Sequence, residues 1–269
     1  IDTSMSCPVL MPPNTPPAYT PPKVWAWNQK RALKLKEITD QIYSILPFEP
    51  DFFAKFGMKV HYVGNPLLDE ISKFQPHDFF FQKNELSYQP IIALLPGSRK
   101  QELDAMLDRM IRLVKEFPNA QFVVAGVDSL PGSVYDSARK AGLKLVFNQT
   151  YDLLSHATAA VVTSGTATLE TALFRVPQIV VYRTSSISYQ IAKRLIRVPF
   201  ISLPNLIAGK EVVKELIQNE FTIENLREEL NRIFTNVVYK GEMLQGYDLI
   251  REKIGEESAS EKVARLILE

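Results

Sequence analysis

Ser164-Gly165-Thr166-Ala167-Thr168-Leu169-Glu170 follows the apolar run Ala159 to Val162 and opens a helical pattern that ends near Val176. A strand that passes through a small polar turn into a helix is a natural anion site. The opening amides of a helix lack intrahelical partners and carry about half a positive charge between them, so phosphate oxygens bind there. Ser164, Gly165, Thr166 and Thr168 are therefore candidate ligand contacts. Glu170, one helical turn past Thr166, adds an acceptor-only carboxylate suited to vicinal hydroxyls, as on a ribose. A capping box would need Ser or Thr three residues earlier, and Ala167 stands there, so that explanation of Glu170 fails. A plain helix-face glutamate, favoured by the dipole, remains open beside the ribose reading.

The alternation around this stretch sets the fold class. Short apolar strands are expected at 91–95, 121–125, 143–147, 159–162 and 178–182, with helices at 101–116, 133–141, 151–155 and 166–174 between and after them. Strands of this kind separated by amphipathic helices predict an α/β domain, a parallel sheet covered on both faces. Ligands of such sheets sit at the carboxyl ends of the strands.

Outside this core the signals are weaker. Residues 1–22 hold seven prolines and read as an irregular leader. Residues 23–68 carry a basic helix at 30–39 with Leu33, Ile38 and Tyr43 as candidate buried positions. A strand at 42–46, a helix near 51–55 and a strand at 60–63 follow, ending in the turn Gly64-Asn65-Pro66. Residues 69–90 read as a linking segment with helical pieces, and 91–235 as the regular α/β domain. Beyond Tyr182 come a basic amphipathic helix at 187–197, a loop at 202–206, helices at 211–218 and 223–234, and the C-terminal helices of 236–269.

Composition narrows the function classes. A chain of 269 residues with 46% hydrophobic content has room for about two packed domains. Thirty-one basic against thirty acidic residues give a net charge of +1, which offers no global case for nucleic acid. The single cysteine, Cys7, excludes an intrachain disulfide and fits a reducing compartment. No run approaches the ~18 apolar residues of a membrane span, and the opening residues lack the pattern of a signal peptide.

A second candidate turn is Leu95-Pro96-Gly97-Ser98-Arg99, at the carboxyl end of the first strand of the expected sheet. Ser98 and Gln101 have capping-box spacing, so Ser98 serves either a ligand or the helix alone. Arg99 and Lys100 oppose the dipole in a first turn, a cost that a bound anion offsets. The planar, bidentate guanidinium of Arg99 suits a diphosphate. Neither turn matches the dinucleotide fingerprint or the P-loop. No His-Glu-x-x-His, Cys cluster or Asp-x-Asp pair occurs, so neither metal nor cofactor is expected. His61, His77 and His156 are isolated and read as structural, while Trp25 and Trp27 read as packing residues.

Six stretches occur in an order that resembles the lipid-A-disaccharide synthase family. They are Pro22-Lys23-Val24-Trp25-Ala26-Trp27-Asn28-Gln29-Lys30-Arg31, Leu46-Pro47-Phe48-Glu49, Val63-Gly64-Asn65-Pro66-Leu67-Leu68-Asp69, the turns 95–99 and 164–170, and Ser202-Leu203-Pro204-Asn205-Leu206-Ile207-Ala208-Gly209. The resemblance implies a GT-B-type inverting glycosyltransferase, a hexosyltransferase of lipid A biosynthesis. That family joins a UDP-linked 2,3-diacylglucosamine to 2,3-diacylglucosamine 1-phosphate and releases UDP.

The resemblance further implies that residues 91–235 form the UDP-sugar domain and that 23–68 belong to the acceptor-side Rossmann-like domain. Ser98 and Arg99 would then contact the diphosphate, with Arg99 stabilising the leaving group. The amides of Gly165 and Thr166 would cradle the diphosphate, Glu170 would hold the ribose, and Asn205 would help order the donor. Family members carry a further N-terminal segment with a Ser-Gly-Asp motif and the expected aspartate base, and residues 1–20 do not resemble it; the chain reads as lacking most of that domain. Acylated substrates imply a cytoplasmic enzyme peripheral to the inner membrane, with an anionic surface and a homodimer as the partners allowed for. Lys30, Arg31, Lys34, Lys36, Lys193, Arg194 and Arg197 fit such a surface, and solvated helix faces explain them as well. Another UDP-N-acetylglucosamine enzyme of the same fold, a 2-epimerase or a cell-wall transferase, and a nucleotide-binding fragment without turnover are the competing readings.

Overall fold

The computed structural model describes residues 31–38, 41–184 and 199–268. Contacts divide them into two compact units, one formed by 31–38, 41–70 and 253–268, the other by 71–184 and 199–252.

In the first unit, strands β1 (Tyr43–Ser44) and β2 (His61–Tyr62) pair in parallel, with the helix Glu49–Ala54 between them in sequence. That helix buries Phe52 and Phe53. The helix Arg31–Ile38 buries Ala32 and Leu35, whereas Leu33, expected inside, is 51% exposed. Ala32 and Leu35, an i, i+3 pair, thus form the buried face among the described side chains of this helix. Tyr43 is buried as expected. Tyr62 donates its hydroxyl to the carbonyl of Ile254 at 2.7 Å, and burial, then the charge of Glu49, push its pKa up to about 12.

The second unit is built on six parallel strands in the order β5-β4-β3-β6-β7-β8. These are β3 (Ile91–Leu95), β4 (Gln121–Gly126), β5 (Lys144–Phe147), β6 (Ala157–Thr163), β7 (Gln178–Tyr182) and β8 (Lys214–Ile217). Every residue of β3 is buried, as a central strand covered on both faces requires, and each Leu or Ile so enclosed contributes about 1.5–3 kcal/mol. The chain runs from β3 outward to β4 and β5, then returns to the other side of β3 to place β6, β7 and β8. The order therefore reverses between β3 and β6, and a crevice opens at such a reversal because the connections leave to opposite sides.

Several expected elements are corrected. Residues 211–218 were expected as a helix, but 214–217 form the edge strand β8, paired with β7 from Ile179↔Lys214 to Tyr182↔Ile217. Val212, Val213, Leu216 and Ile217 repeat with helical spacing, and pairing with β7 overrides that local signal. Residues 202–206, expected as a loop, begin the helix Leu203–Ala208, which closes on Gly209 in the left-handed region. The C-terminal helical stretch is two helices, Val237–Ile254 and Ala259–Leu268, separated at Gly255 (φ +81°). The basic helix expected at 187–197, the tryptophans and Cys7 lie outside the described residues. Among the described residues no helix is long and apolar enough to cross a membrane.

Candidate functional site

Both candidate turns leave adjacent strands at the same edge of the sheet. Leu95 and Val162 are register partners across the parallel pair β3 and β6, so Pro96 and Thr163 begin side by side at the carboxyl edge. This is the reversal point of the strand order. The sheet thus brings together Ser98 and Arg99 on one side and Ser164, Gly165 and Thr166 on the other.

The turn after β3 is sharp and exposed. Gly97 adopts φ +107°, a region that L side chains rarely enter, so the backbone of the turn calls for glycine; a Cβ there would also press on the Glu102 side chain. The helix Lys100–Arg112 is capped by Arg99, not by Ser98, which corrects the capping-box reading of Ser98 with Gln101. Ser98, Arg99 and Lys100 are exposed. The Arg99 guanidinium donates to Glu102 Oε1 at 3.2 Å, an i, i+3 pair that holds the cation over its own helix start. Tyr182, at the end of β7, senses both groups. Burial raises its pKa, Glu102 raises it further, and Arg99 lowers it.

The turn after β6 is tied down from behind. Ser164 donates its amide to the carbonyl of Val181 at 2.9 Å and its hydroxyl to the carbonyl of Ile201 at 3.0 Å. Gly165 caps the helix Thr166–Leu173 in an extended conformation, and a Cβ on it would meet only Thr163 O at 3.9 Å. Nothing in the fold demands glycine there, and a side chain would enter open space at the start of the helix. Thr166 is exposed and Glu170 half-buried one turn further on.

Thr168 and Asn205 are placed differently from their neighbours. Thr168 is fully buried, and its hydroxyl donates to Gly165 O at 2.7 Å, so it shapes the turn from beneath. Asn205 is also fully buried. Its amide nitrogen donates to Val213 O and Glu215 Oε1, each at 2.9 Å, and its oxygen accepts from the amides of Val212 at 2.7 Å and Val213 at 2.9 Å. Four bonds use all of a carboxamide's capacity, so Asn205 acts on the loop and not on a ligand.

Glu215 joins this loop through both of its carboxylate oxygens. Its Oε1 accepts from the Ser202 amide at 3.0 Å, the Ser202 hydroxyl at 2.6 Å and Asn205, while Oε2 accepts from the Ile201 amide at 2.9 Å. The carboxylate thus fixes the loop whose Ile201 carbonyl receives Ser164. Ser202 with Pro204 and Gly209 was a legible start and stop signal for the helix between them. The acid itself carries no local signature. Of the histidines, His156 stacks on Phe80 with ring centroids 5.4 Å apart, and His77 Nδ1 accepts from the amide of Phe79 at 3.2 Å.

A family model described as lipid-A-disaccharide synthetase matches residues 18–267. The chain belongs to the lipid-A-disaccharide synthetase family. It is 37% identical over 259 residues to the lipid-A-disaccharide synthase of Myxococcus xanthus, covering 93% of this chain and 68% of that protein. The enzyme of the same name from Syntrophotalea carbinolica is 34% identical, with 93% and 66% covered. The chain therefore spans about two thirds of the length of the curated relatives it matches.

Among solved structures, a UDP-GlcNAc 2-epimerase from Neisseria meningitidis bound to UDP-GlcNAc aligns with TM-score 0.56 and 14% identity, covering 94% of this chain and 68% of that one. The calicheamicin glycosyltransferase CalG4 aligns with TM-score 0.51 and 17% identity, covering 86% and 54%. At such identities these likenesses concern the fold, which is of the GT-B type. The expected family and α/β fold class are borne out, and with them the assignment to the glycosyltransferases of lipid A biosynthesis; the epimerase reading is not favoured.

Proposed function

We propose that this chain supplies the UDP-sugar side of a lipid-A-disaccharide synthase, which joins UDP-2,3-diacylglucosamine to 2,3-diacylglucosamine 1-phosphate. The observation that carries the reading is the pairing of Leu95 with Val162, which sets a cationic turn beside a bare helix N-terminus at the switch point of the sheet. Two helix starts and one guanidinium suit a diphosphate, whose charge they share without a metal ion.

In the reaction the bond between the anomeric carbon and the UDP oxygen breaks as an acceptor hydroxyl forms its bond from the opposite face. The hydroxyl proton passes to a general base, which is assigned to no residue of this chain. Charge that develops on the departing UDP meets Arg99 and the amides at Gly165 and Thr166, and fixed dipoles of this kind lower the barrier because they need no reorganisation. Glu170 holds the ribose hydroxyls. Ser98 adds a hydroxyl to the diphosphate. Acylated substrates place the enzyme at the cytoplasmic face of the inner membrane.

Calorimetric titration of the full chain with UDP and with pyrophosphate tests the arrangement. Glu170→Gln is expected to weaken UDP about tenfold, the scale of one charge-assisted hydrogen bond, and to leave pyrophosphate unchanged. Equal losses for both ligands would remove Glu170 from the ribose.

A further inference from the structure

The six-stranded unit carries a second concentration of positive charge that shares no residue with the two turns. Arg109, Arg112 and Arg183 line a depression of about 360 Å³. Arg109 and Arg112 come from the last turns of the helix Lys100–Arg112, and Arg183 directly follows β7. None of the three makes an ion pair among the described residues. Arg109 is held at the rear, over the ring of Phe221 at 5.8 Å, and donates to the carbonyl of Ala105 at 3.4 Å. Burial chiefly, then the charges of Arg183 and Arg112, lower its pKa from the ordinary arginine value, while Asp108 acts in the opposite direction.

The lining adds a second, independent source of positive potential. Thr222, Ile223 and Glu224 belong to the cap and first turn of the helix Ile223–Thr235, thirteen residues long. The Thr222 hydroxyl accepts from the Asn225 amide at 3.2 Å, and the amides of Ile223 and Glu224 at positions N1 and N2 have no intrahelical acceptor. A solvated helix end accounts for Arg109 and Arg112, which favour the negative pole of their own helix. It does not account for Arg183, nor for the positive pole of another helix meeting the same cavity.

The chemistry of the lining narrows the ligand. A bare phosphate is a five-heavy-atom ion far smaller than the depression, whose volume falls in the range of small-molecule sites. Glu224 repels a simple anion but accepts hydrogen bonds from hydroxyls, as the carboxamide oxygen of Asn219 does. We propose that this depression is a second anion site, distinct from the UDP turns, that takes a phosphomonoester carried on a hydroxylated group, either a sugar phosphate in solution or the headgroup of a phosphate-bearing lipid. It stands independently of the donor reading.

The test titrates the full chain with glucose 1-phosphate and with inorganic phosphate. It also measures cosedimentation with vesicles of phosphatidylcholine and of phosphatidylcholine containing phosphatidylinositol 4-phosphate, a lipid that carries a phosphomonoester on a hydroxylated ring. The double variant Arg112→Gln/Arg183→Gln is expected to lose about tenfold or more in glucose 1-phosphate affinity, with UDP affinity unchanged. Loss confined to the phosphatidylinositol 4-phosphate vesicles assigns the site to a lipid headgroup, and loss confined to glucose 1-phosphate assigns it to a soluble ester. Glu224→Gln is expected to strengthen inorganic phosphate about threefold and to reduce the preference for glucose 1-phosphate over it. Unchanged binding of all three probes in both variants overturns the site. So does a parallel loss of UDP, which would make these arginines part of the donor clamp.

Discussion

The two turns at the carboxyl edge of the sheet begin side by side and are built on opposite plans. The turn at 96–99 is exposed, charged and held mainly by its own helix, through the pair of Arg99 with Glu102 and the steep backbone of Gly97. The turn at 163–166 is neutral, and its anchors come from elsewhere: β7 through Val181, and the loop 201–205 through Ile201. Charge is thus concentrated where the chain is locally determined, and donor geometry where tertiary contacts fix it. For a leaving group that gains charge as it departs, the first supplies strength and the second supplies position. Mutations on the two sides should fail in different ways.

The largest effect is expected from Glu215→Ala. Four donors lose their acceptor together, and leaving even two of them unsatisfied costs about 3 kcal/mol or more. Chemical denaturation should show this loss, and UDP affinity should fall in parallel because Ile201 no longer holds Ser164. A fully stable variant with normal UDP binding would mean that the turn at 163–166 is determined locally after all. Arg99→Ala should do the converse. Its side chain is 60% exposed and its ion pair is a surface pair, so stability should change by less than about 0.5 kcal/mol. UDP affinity should fall by about 2 kcal/mol, read by calorimetry, as for loss of a charge-assisted bond to phosphate. Unchanged affinity would strip the first turn of its role.

The contrast also explains what was legible in the sequence. Strands β3 and β7 were placed at their observed ends because buried parallel strands are short apolar runs bounded by turn residues, and the helix after each candidate turn followed from the same alternation. Ser98 and Arg99 could be singled out since their chemistry is local. Edge strand β8 was hidden: Val212, Val213, Leu216 and Ile217 have helical spacing, and only pairing with β7 decides the matter. Glu215 was invisible for the same reason, its partners lying ten to fourteen residues earlier in the chain. Asn205 was recognisable as important through resemblance, but its role beneath the loop depends on carbonyls and amides that no side-chain pattern records. The arginine depression joins residues from a helix end and a strand end, so no local stretch of sequence gathers its three arginines.

The smallest and most discriminating change is Gly165→Ala. The extended backbone accepts alanine, and the added Cβ meets a single atom at an ordinary 3.9 Å, so the folded state has no reason to resist it. Stability should stay within about 0.5 kcal/mol, as for other substitutions that create no clash or cavity. If a phosphate occupies the open space at this helix start, as the proposed function has it, an added methyl group there would crowd it. UDP and pyrophosphate should then weaken together, by about tenfold or 1.4 kcal/mol, because the obstruction lies at the diphosphate and not at the ribose. That pattern differs from the one expected of Glu170→Gln, in which UDP alone suffers. Should Gly165→Ala bind both ligands normally, the space above this helix start is not the phosphate seat, and the turn after β3 must hold the diphosphate without its neighbour.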